Sequence, residues 1–160
     1  MDNLSRIIAE HPFFSGLSEA KIDEITGCTS NVRYAAGEYI FKTGEAANAF
    51  YLLRAGRVST EMYIPLKGPL IIDTVEEGSV FGWSWLIPPY CWHFDARALI
   101  LTRAIKVDTT CIRKKMDTDM VLGYFLMSRF AQVLEQQLQV ARLQLINIYE
   151  DPVRVAGVLD

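Results

Sequence analysis

The sequence predicts a mainly β protein: an antiparallel roll or barrel with short helices before it and one long helix after it. Glycines divide the first half of the chain at turn-like spacings, with 7 residues from Gly37 to Gly44 and 12 from Gly44 to Gly56. Short runs of alternating apolar residues fill the intervals, which is how an antiparallel sheet is encoded. This rhythm is typical of a β-roll or barrel. From residue 119 to residue 150 the pattern changes to a helical period without proline.

Composition predicts one compact domain. The chain has 160 residues, of which 51% are hydrophobic and 22% charged, and folding should bury roughly two thirds of its unfolded surface. The net charge is −3 and no basic cluster exceeds residues 113–115, which argues against a surface for nucleic acid or anionic membrane. That triplet is expected to be a solvated helix end. We expect a single domain over residues 1–150 and a C-terminal tail over residues 151–160.

The elements follow in order along the chain. Two short helices are predicted over residues 2–10 and 18–27, the second opened by Ser18 as its N-cap. The strands of the roll are expected over about residues 28–107. Within them, residues 65–69 carry a proline at each end, which predicts the tip of a hairpin. Asp108 is expected to cap the helix that follows the roll.

The last element is a long helix, predicted over about residues 118–149. Its apolar positions alternate in steps of four and three, and a sustained 3.5-residue period indicates a coiled-coil seam. A helix of this length would extend ~48 Å, more than one small domain needs. We expect a homodimer through this helix, the alternative being that the stripe packs on the domain's own sheet. The predicted interface positions are Ala131, Leu134, Leu138, Ala141, Leu145 and Ile148.

Cysteine usage and the N-terminus favour a cytoplasmic protein. Cys28, Cys91 and Cys111 are odd in number and far apart, which does not suggest a disulfide framework, so reduced or buried thiols are expected. The first residues lack the basic lead and apolar core of a signal peptide, and no apolar run approaches the ~20 residues that span a bilayer. No membrane association is expected.

A set of short motifs lies in a fixed order from Phe14 to Val58. The motifs are Phe14, Leu17-Ser18, Gly37-Glu38, Ile40-Phe41, Gly44-Glu45, Phe50-Tyr51-Leu52-Leu53 and Gly56-Arg57-Val58. In this order and spacing the motifs resemble the opening of the cyclic nucleotide-binding domain family, the effector domain of catabolite-activator-like regulators. The resemblance covers about residues 13–149 and implies an eight-stranded antiparallel β-roll, or jelly roll, with pairing through the long helix. A DNA-binding domain would follow in the regulators, but residues 153–160 are too few to form one, so DNA binding by this chain alone is not expected.

The segment that resembles the family's phosphate-binding cassette is substituted. In members that bind cyclic AMP or cyclic GMP, the cassette reads Phe-Gly-Glu-x-Ala-Leu and is followed by an Arg. The backbone N–H groups and the Arg hold the phosphate, and the Glu accepts the ribose hydroxyl. Here Phe81 and Gly82 match, but Trp83 stands at the Glu position, or Ser84 if the alignment slips by one, and Trp92 stands at the Arg position. Affinity for cyclic nucleotides in the usual pose should be poor.

The candidate ligand site comprises this segment and the strand after it. All three tryptophans of the chain lie here, and they are either a cage for a planar or cationic ligand or plugs in a pocket that has lost its ligand. By strand alternation His93, Asp95 and Arg97 share one face, as a surface ladder of charges or as the wall of a modified site. The candidate residues are Phe81, Gly82, Trp83, Ser84, Trp85, Trp92, His93, Asp95 and Arg97.

These observations predict a cytoplasmic, stand-alone, dimeric sensor module with a pocket for a ligand other than cyclic AMP or cyclic GMP. One alternative is a degenerate, ligand-free interaction scaffold. A second is a haem or redox sensor using Cys91 and His93, residue types that both ligate iron, although a bound cofactor is not favoured. The sequence has no Walker loop, paired-cysteine metal pattern or Gly-x-Ser-x-Gly elbow, so an enzyme is not expected.

Overall fold

The structure is a computed structural model that describes residues 3–150, so the predicted tail at 151–160 lies outside the described residues. The chain divides into two compact units, one ending at Gly123 and the other beginning at Tyr124. The first unit carries the strands of the predicted roll. In chain order they are β1 (Thr29–Tyr34), β2 (Tyr39–Phe41), β3 (Ala49–Ala55), β4 (Val58–Ile64), β5 (Gly68–Val75), β6 (Val80–Phe81), β7 (Asp95–Ala98) and β8 (Thr102–Asp108).

The strands form two antiparallel sheets. Within the described range there are eight strands in two sheets of four, ordered β1-β8-β3-β6 and β2-β7-β4-β5. Strands far apart in sequence are therefore neighbours. β1 pairs with β8 along its whole length, from Thr29 opposite Val107 to Tyr34 opposite Thr102. The predicted eight-stranded antiparallel roll is confirmed.

The helices agree with the sequence predictions. Ser18 precedes the second helix as expected, although its side chain makes no capping hydrogen bond. Asp108 caps the third helix, since its carboxylate accepts the Cys111 N–H at 3.1 Å. The helices are α1 (Asn3–Glu10), α2 (Glu19–Thr26), α3 (Thr109–Thr118) and α4 (Met120–Glu150).

Asp119 separates α3 from α4 and organises the corner between them. Its backbone is extended, with φ −126° and ψ 91°, so it ends α3. One oxygen of its carboxylate accepts the Leu122 N–H at 3.1 Å and so caps α4. The other accepts from the Lys21 ammonium on α2, and this hydrogen bond to Lys21 lowers the pKa of the Asp119 carboxyl. The corner is therefore tied to α2.

The predicted hairpin tip lies between β4 and β5, where Ile64 pairs with Gly68. Pro69 belongs to β5 and not to the turn, because it pairs with Tyr63. β5 is an edge strand of its sheet, the position in which a strand tolerates a residue without an N–H.

The expectation of reduced cysteines is wrong for two of the three. Cys28 and Cys111 are joined by a disulfide, with Cα atoms 5.6 Å apart across a sequence separation of 83. Sequence distance misled the prediction because β1 and β8 pair antiparallel. Cys28 immediately precedes β1 and Cys111 follows β8, so the two residues meet at one end of the same sheet. Cys91 is a free thiol.

The second unit continues α4 from Tyr124. Three of the predicted seam residues, Leu138, Leu145 and Ile148, are 50%, 54% and 49% exposed. The seam is therefore accessible in the single chain. At 31 residues α4 is the longest described helix, yet no helix within residues 3–150 is both long and apolar enough to cross a membrane.

Candidate functional site

The cassette begins where β6 leaves the first sheet. Phe81 pairs with Tyr51 of β3, which fixes the segment at the edge of that sheet, where β6 is the last strand. Gly82 follows with φ +91°, a left-handed conformation that favours glycine. A Cβ placed on Gly82 would lie 3.0 Å from the indole of Trp92. A single turn of 3₁₀ helix at Ser84–Leu86 comes next.

Trp92 fills the interior of the roll beside Gly82. Its side chain is 3% exposed, and its indole stacks on the Phe41 ring of β2 with centroids 3.7 Å apart and planes 9° apart. The Trp92 backbone is held by its N–H to the Glu45 carbonyl at 3.0 Å and by its carbonyl, which accepts the Gly44 N–H at 2.8 Å. Trp92 is therefore a packed core residue in this conformation.

Trp85 is also a core residue. It is 1% exposed, and its ring stacks on Phe50 of β3 with centroids 5.6 Å apart. Two of the three tryptophans are thus packed as plugs and do not form an open cage. Beside Trp85, the Ser84 hydroxyl is buried without a hydrogen-bond partner.

Arg113 of α3 contacts the cassette segment at Trp85 and Tyr90, and we call this contact the Arg113 clamp. Its guanidinium lies 4.4 Å from the centre of the Tyr90 ring and 5.4 Å from that of Trp85, and it donates to the Trp85 carbonyl oxygen. The expectation that residues 113–115 form a solvated helix end is therefore wrong for Arg113. Sequence reasoning had no local signal for this contact, because it joins α3 to a residue 28 positions earlier in the chain.

Trp83 and Phe94 form the accessible part of the aromatic cluster. Both are partly exposed, and their rings are tilted at 49° with centroids 6.4 Å apart. Of the predicted site tryptophans, only Trp83 presents a substantial surface to solvent.

His93, Asp95 and Arg97 were expected to share one face of a strand, but only Asp95 and Arg97 belong to β7. β7 begins at Asp95, so His93 lies before the strand and is exposed. The Asp95 carboxylate accepts the Thr43 N–H at 2.7 Å, which ties β7 to the loop after β2. Arg97 is directed to Glu61 on the neighbouring strand β4. The three side chains thus have three different surroundings.

Arg97 and Glu61 form a buried ion pair. The Glu61 side chain is 0% exposed and that of Arg97 is 29% exposed. One carboxylate oxygen accepts from Arg97 Nε at 3.0 Å and from a terminal nitrogen at 2.6 Å, and it also accepts the Ser59 hydroxyl at 2.8 Å. The second oxygen is buried without a hydrogen-bond partner. Sequence reasoning missed Glu61, although strand alternation places it on the face of β4 that carries Ser59.

Two tyrosines add polar groups to the roll. Tyr51 is 4% exposed and stacks on Phe81 with centroids 5.1 Å apart. Burial raises the pKa of the Tyr51 phenol far above its ordinary range, and the nearby Tyr34 raises it further. Burial likewise raises the pKa of Tyr34. Both phenols are therefore neutral at physiological pH and act as hydrogen-bonding groups.

The sequence model of the cyclic nucleotide-binding domain family matches residues 31–119, more than half of the chain. This chain belongs to the cyclic nucleotide-binding domain family. The match includes the cassette, β7 and β8, and it extends to Asp119 at the end of α3. The family is a regulatory binding domain and is generally non-enzymatic.

Known proteins of the family resemble this chain to different degrees. A Geobacter metallireducens protein, described as cyclic nucleotide-binding, is 26% identical with a TM-score of 0.75, and the match covers 86% of this chain and 99% of that one. A cyclic nucleotide-binding domain of Methylobacillus flagellatus has a TM-score of 0.76 at 16% identity, covering 90% and 81% of the two chains, which supports the fold alone. Human cGMP-dependent protein kinase 2 is 35% identical over 75 residues, or 44% of this chain. The chain spans only 9% of that kinase.

Cys91 and His93 are the predicted ligands in the alternative of a haem or redox sensor. The Cys91 thiol lies 3.6 Å from the Pro89 carbonyl, and His93 is exposed. Nowhere in residues 3–150 do three or more His, Cys, Asp or Glu side chains form a group that could hold a metal ion.

Proposed function

We propose that this chain is a homodimeric regulatory module of the cyclic nucleotide-binding domain family whose own aromatic side chains occupy the cassette. Cyclic AMP and cyclic GMP bind it poorly, and it acts through its surfaces on a partner in the cytoplasm. The observation that carries this proposal is the position of Trp92, whose indole lies against Gly82 and stacks on Phe41.

The position of Trp92 opposes nucleotide binding in two ways. First, the resemblance places the phosphate at the backbone beside Gly82, and the indole takes up space there. Second, Trp92 and Trp83 replace the Arg and Glu anchors, each of which would contribute about 1.5–3 kcal/mol through a charged hydrogen bond. Displacing Trp92 would also break its stack on Phe41. A bound nucleotide would therefore make fewer charged hydrogen bonds here than in other members of the family. Its binding would also have to offset the free energy of displacing Trp92.

The test is calorimetric titration of the purified chain with cyclic AMP and cyclic GMP. The wild type should show no saturable heat at micromolar concentrations. The double variant Trp83→Glu/Trp92→Arg, which restores both anchors, should gain affinity. The matched control Trp83→Gln/Trp92→Gln opens the same space without supplying charge and should gain much less. Saturable binding by the wild type at low micromolar concentration would overturn the proposal.

Dimerisation through α4 is supported by the exposure of its apolar seam. Leu138, Leu145 and Ile148 are about half exposed, although they repeat at the spacing of a coiled coil. Leu138→Glu should therefore shift the chain from dimer to monomer in sedimentation equilibrium. Gln136→Glu adds the same charge on the opposite side of the helix and should leave the dimer intact. A wild-type chain that is monomeric at high concentration would contradict this part of the proposal.

A second function, sensing of a planar or cationic small molecule, is favoured by the partly exposed pair Trp83 and Phe94. Aromatic faces attract such groups. A thermal-shift screen of metabolites would reveal a ligand, and Trp83→Ala should abolish its effect while leaving the unliganded melting temperature almost unchanged. If no compound stabilises the wild type, the interaction module alone remains.

A further inference from the structure

Helix α3 is attached to the rest of the first unit at two nearby points. Cys111 is bonded covalently to Cys28, the residue just before β1. Two residues later, Arg113 donates to the Trp85 carbonyl and packs on the Tyr90 ring. The disulfide and the clamp on the cassette are thus separated by less than one helical turn.

The two cysteines differ in their exposure to solvent. Cys28 is buried, with 6% of its surface exposed, whereas Cys111 is partly exposed near the start of α3. Cys111 is therefore the more accessible residue of the pair. In the reducing cytoplasm, the compartment that the sequence predicts, protein disulfides are usually catalytic or redox-sensing and not permanent.

We propose that Cys28 and Cys111 form a redox modification site, in which exchange with a small disulfide such as oxidised glutathione closes the bond and holds Arg113 on the cassette. The Cys111 thiolate attacks one sulfur of oxidised glutathione, which forms a mixed disulfide and expels one glutathione thiolate. The Cys28 thiolate then attacks the Cys111 sulfur and expels the second. Two electrons pass from the cysteines to glutathione, and the two thiol protons convert the departing thiolates to thiols. Two molecules of reduced glutathione reverse the reaction.

Opening the bond leaves α3 held by weaker contacts. The Asp108 N–H still donates to the Cys28 carbonyl at 2.8 Å, and Ile112 is still fully buried. These contacts keep the helix folded, but they do not fix its first turn as a covalent link does. The Arg113 clamp, which depends on the position of that turn, then holds residues 84–90 less firmly. The redox state thereby sets the mobility of the cassette, whatever ligand or partner the module has.

The experiment uses the full chain carrying Cys91→Ser, which removes the third thiol. The protein is equilibrated in buffers of increasing ratio of reduced to oxidised glutathione and then alkylated. Mass spectrometry measures the fraction of molecules in which the disulfide is open. The disulfide should open within the range of ratios that glutathione buffers provide. Hydrogen exchange of the amides in α3 and in residues 84–90 should become at least about tenfold faster in the open form. A bond that stays closed in every buffer, or equal exchange in both forms, would overturn the proposal.

Two variants distinguish the effect of the disulfide on hydrogen exchange from the effect of the Arg113 clamp. Cys28→Ser/Cys111→Ser should exchange at the fast rate in every buffer, and the reduced wild type supplies the same comparison if that variant does not fold. Arg113→Met should leave the redox response of α3 in place while the exchange of residues 84–90 becomes fast and independent of glutathione. Persistence of a redox-dependent cassette in Arg113→Met would exclude the clamp as the link.

Discussion

The indole of Trp92 stacks on the ring of Phe41 with centroids 3.7 Å apart and planes 9° apart. This contact joins the end of the cassette to β2 across the interior of the roll. Because the resemblance places a phosphate-binding arginine at residue 92, a residue type that would hold a ligand has been replaced by one that takes up the ligand's space.

Trp92→Ala should lower the free energy of unfolding by about 3–5 kcal/mol, because it removes a buried aromatic side chain and leaves a cavity. Denaturation in urea measures the loss. Trp83→Ala, which truncates the partly exposed tryptophan of the same segment, should cost much less. Equal losses in the two variants would mean that Trp92 is not packed as described.

The ion pair of Arg97 and Glu61 gives a second prediction. Arg97→Met leaves the Glu61 carboxylate buried without its counter-ion and should destabilise the protein by on the order of 3 kcal/mol. Replacing both residues by Met removes both charges together, so the double variant should be more stable than Arg97→Met alone. A double-mutant cycle measured by urea denaturation gives the coupling between the two sites. Additive effects would show that the two side chains are not energetically coupled, contrary to the contact seen between them.

Part of the architecture follows from local signals. Turn glycines, the capping residue Asp108 and the heptad period of α4 each act within a few residues, and they predicted a β-roll or barrel with a long helix after it. The count of eight strands came from the resemblance to the family. The positions that escaped prediction depend on pairing between distant segments. Glu61 meets Arg97 only because β4 and β7 are neighbours, and Cys28 meets Cys111 only because β1 and β8 are neighbours.

The sequence predicted which residues form the candidate segment but not how their side chains pack. The segment from Phe81 to Arg97 was predicted, from the resemblance, to be the place where the chain departs from its family, and this stays a prediction. Composition alone left the tryptophans open between cage and plug, since an aromatic ring can serve as either. Only packing partners distinguish the two, and Arg113 contributes from a helix outside the segment.

Substitution of Gly56 tests how closely the turn between β3 and β4 approaches the neighbouring backbone. Its φ is +105°, and an added Cβ would lie 2.6 Å from the Thr102 hydroxyl and 2.7 Å from the Leu101 carbonyl. Gly56→Ala should therefore destabilise the protein by more than the roughly 1 kcal/mol of backbone strain alone. Gly68→Ala is the matched control, with φ +87° and nothing within 4 Å of the added Cβ. Thermal unfolding should rank the two variants in that order, and the reverse order would contradict the close approach seen at Gly56.

His11 should make stability depend on pH. Its Nδ1 accepts the Phe13 N–H at 3.2 Å, its Nε2 is buried without a hydrogen-bond partner, and burial lowers the pKa of the imidazole. Below the ordinary histidine pKa the unfolded chain therefore binds a proton that the folded chain resists, so the free energy of unfolding falls as pH is lowered.

The measurement is urea denaturation between about pH 7.5 and pH 5, the range in which an unperturbed histidine titrates. His11→Asn keeps a side-chain acceptor for the Phe13 N–H but does not titrate, so its stability should depend less on pH than that of the wild type. The difference arises above the acid range in which Asp119 is protonated, because the hydrogen bond from Lys21 keeps the pKa of that carboxyl low. Identical pH profiles for wild type and His11→Asn would show that the imidazole is not buried in the folded chain.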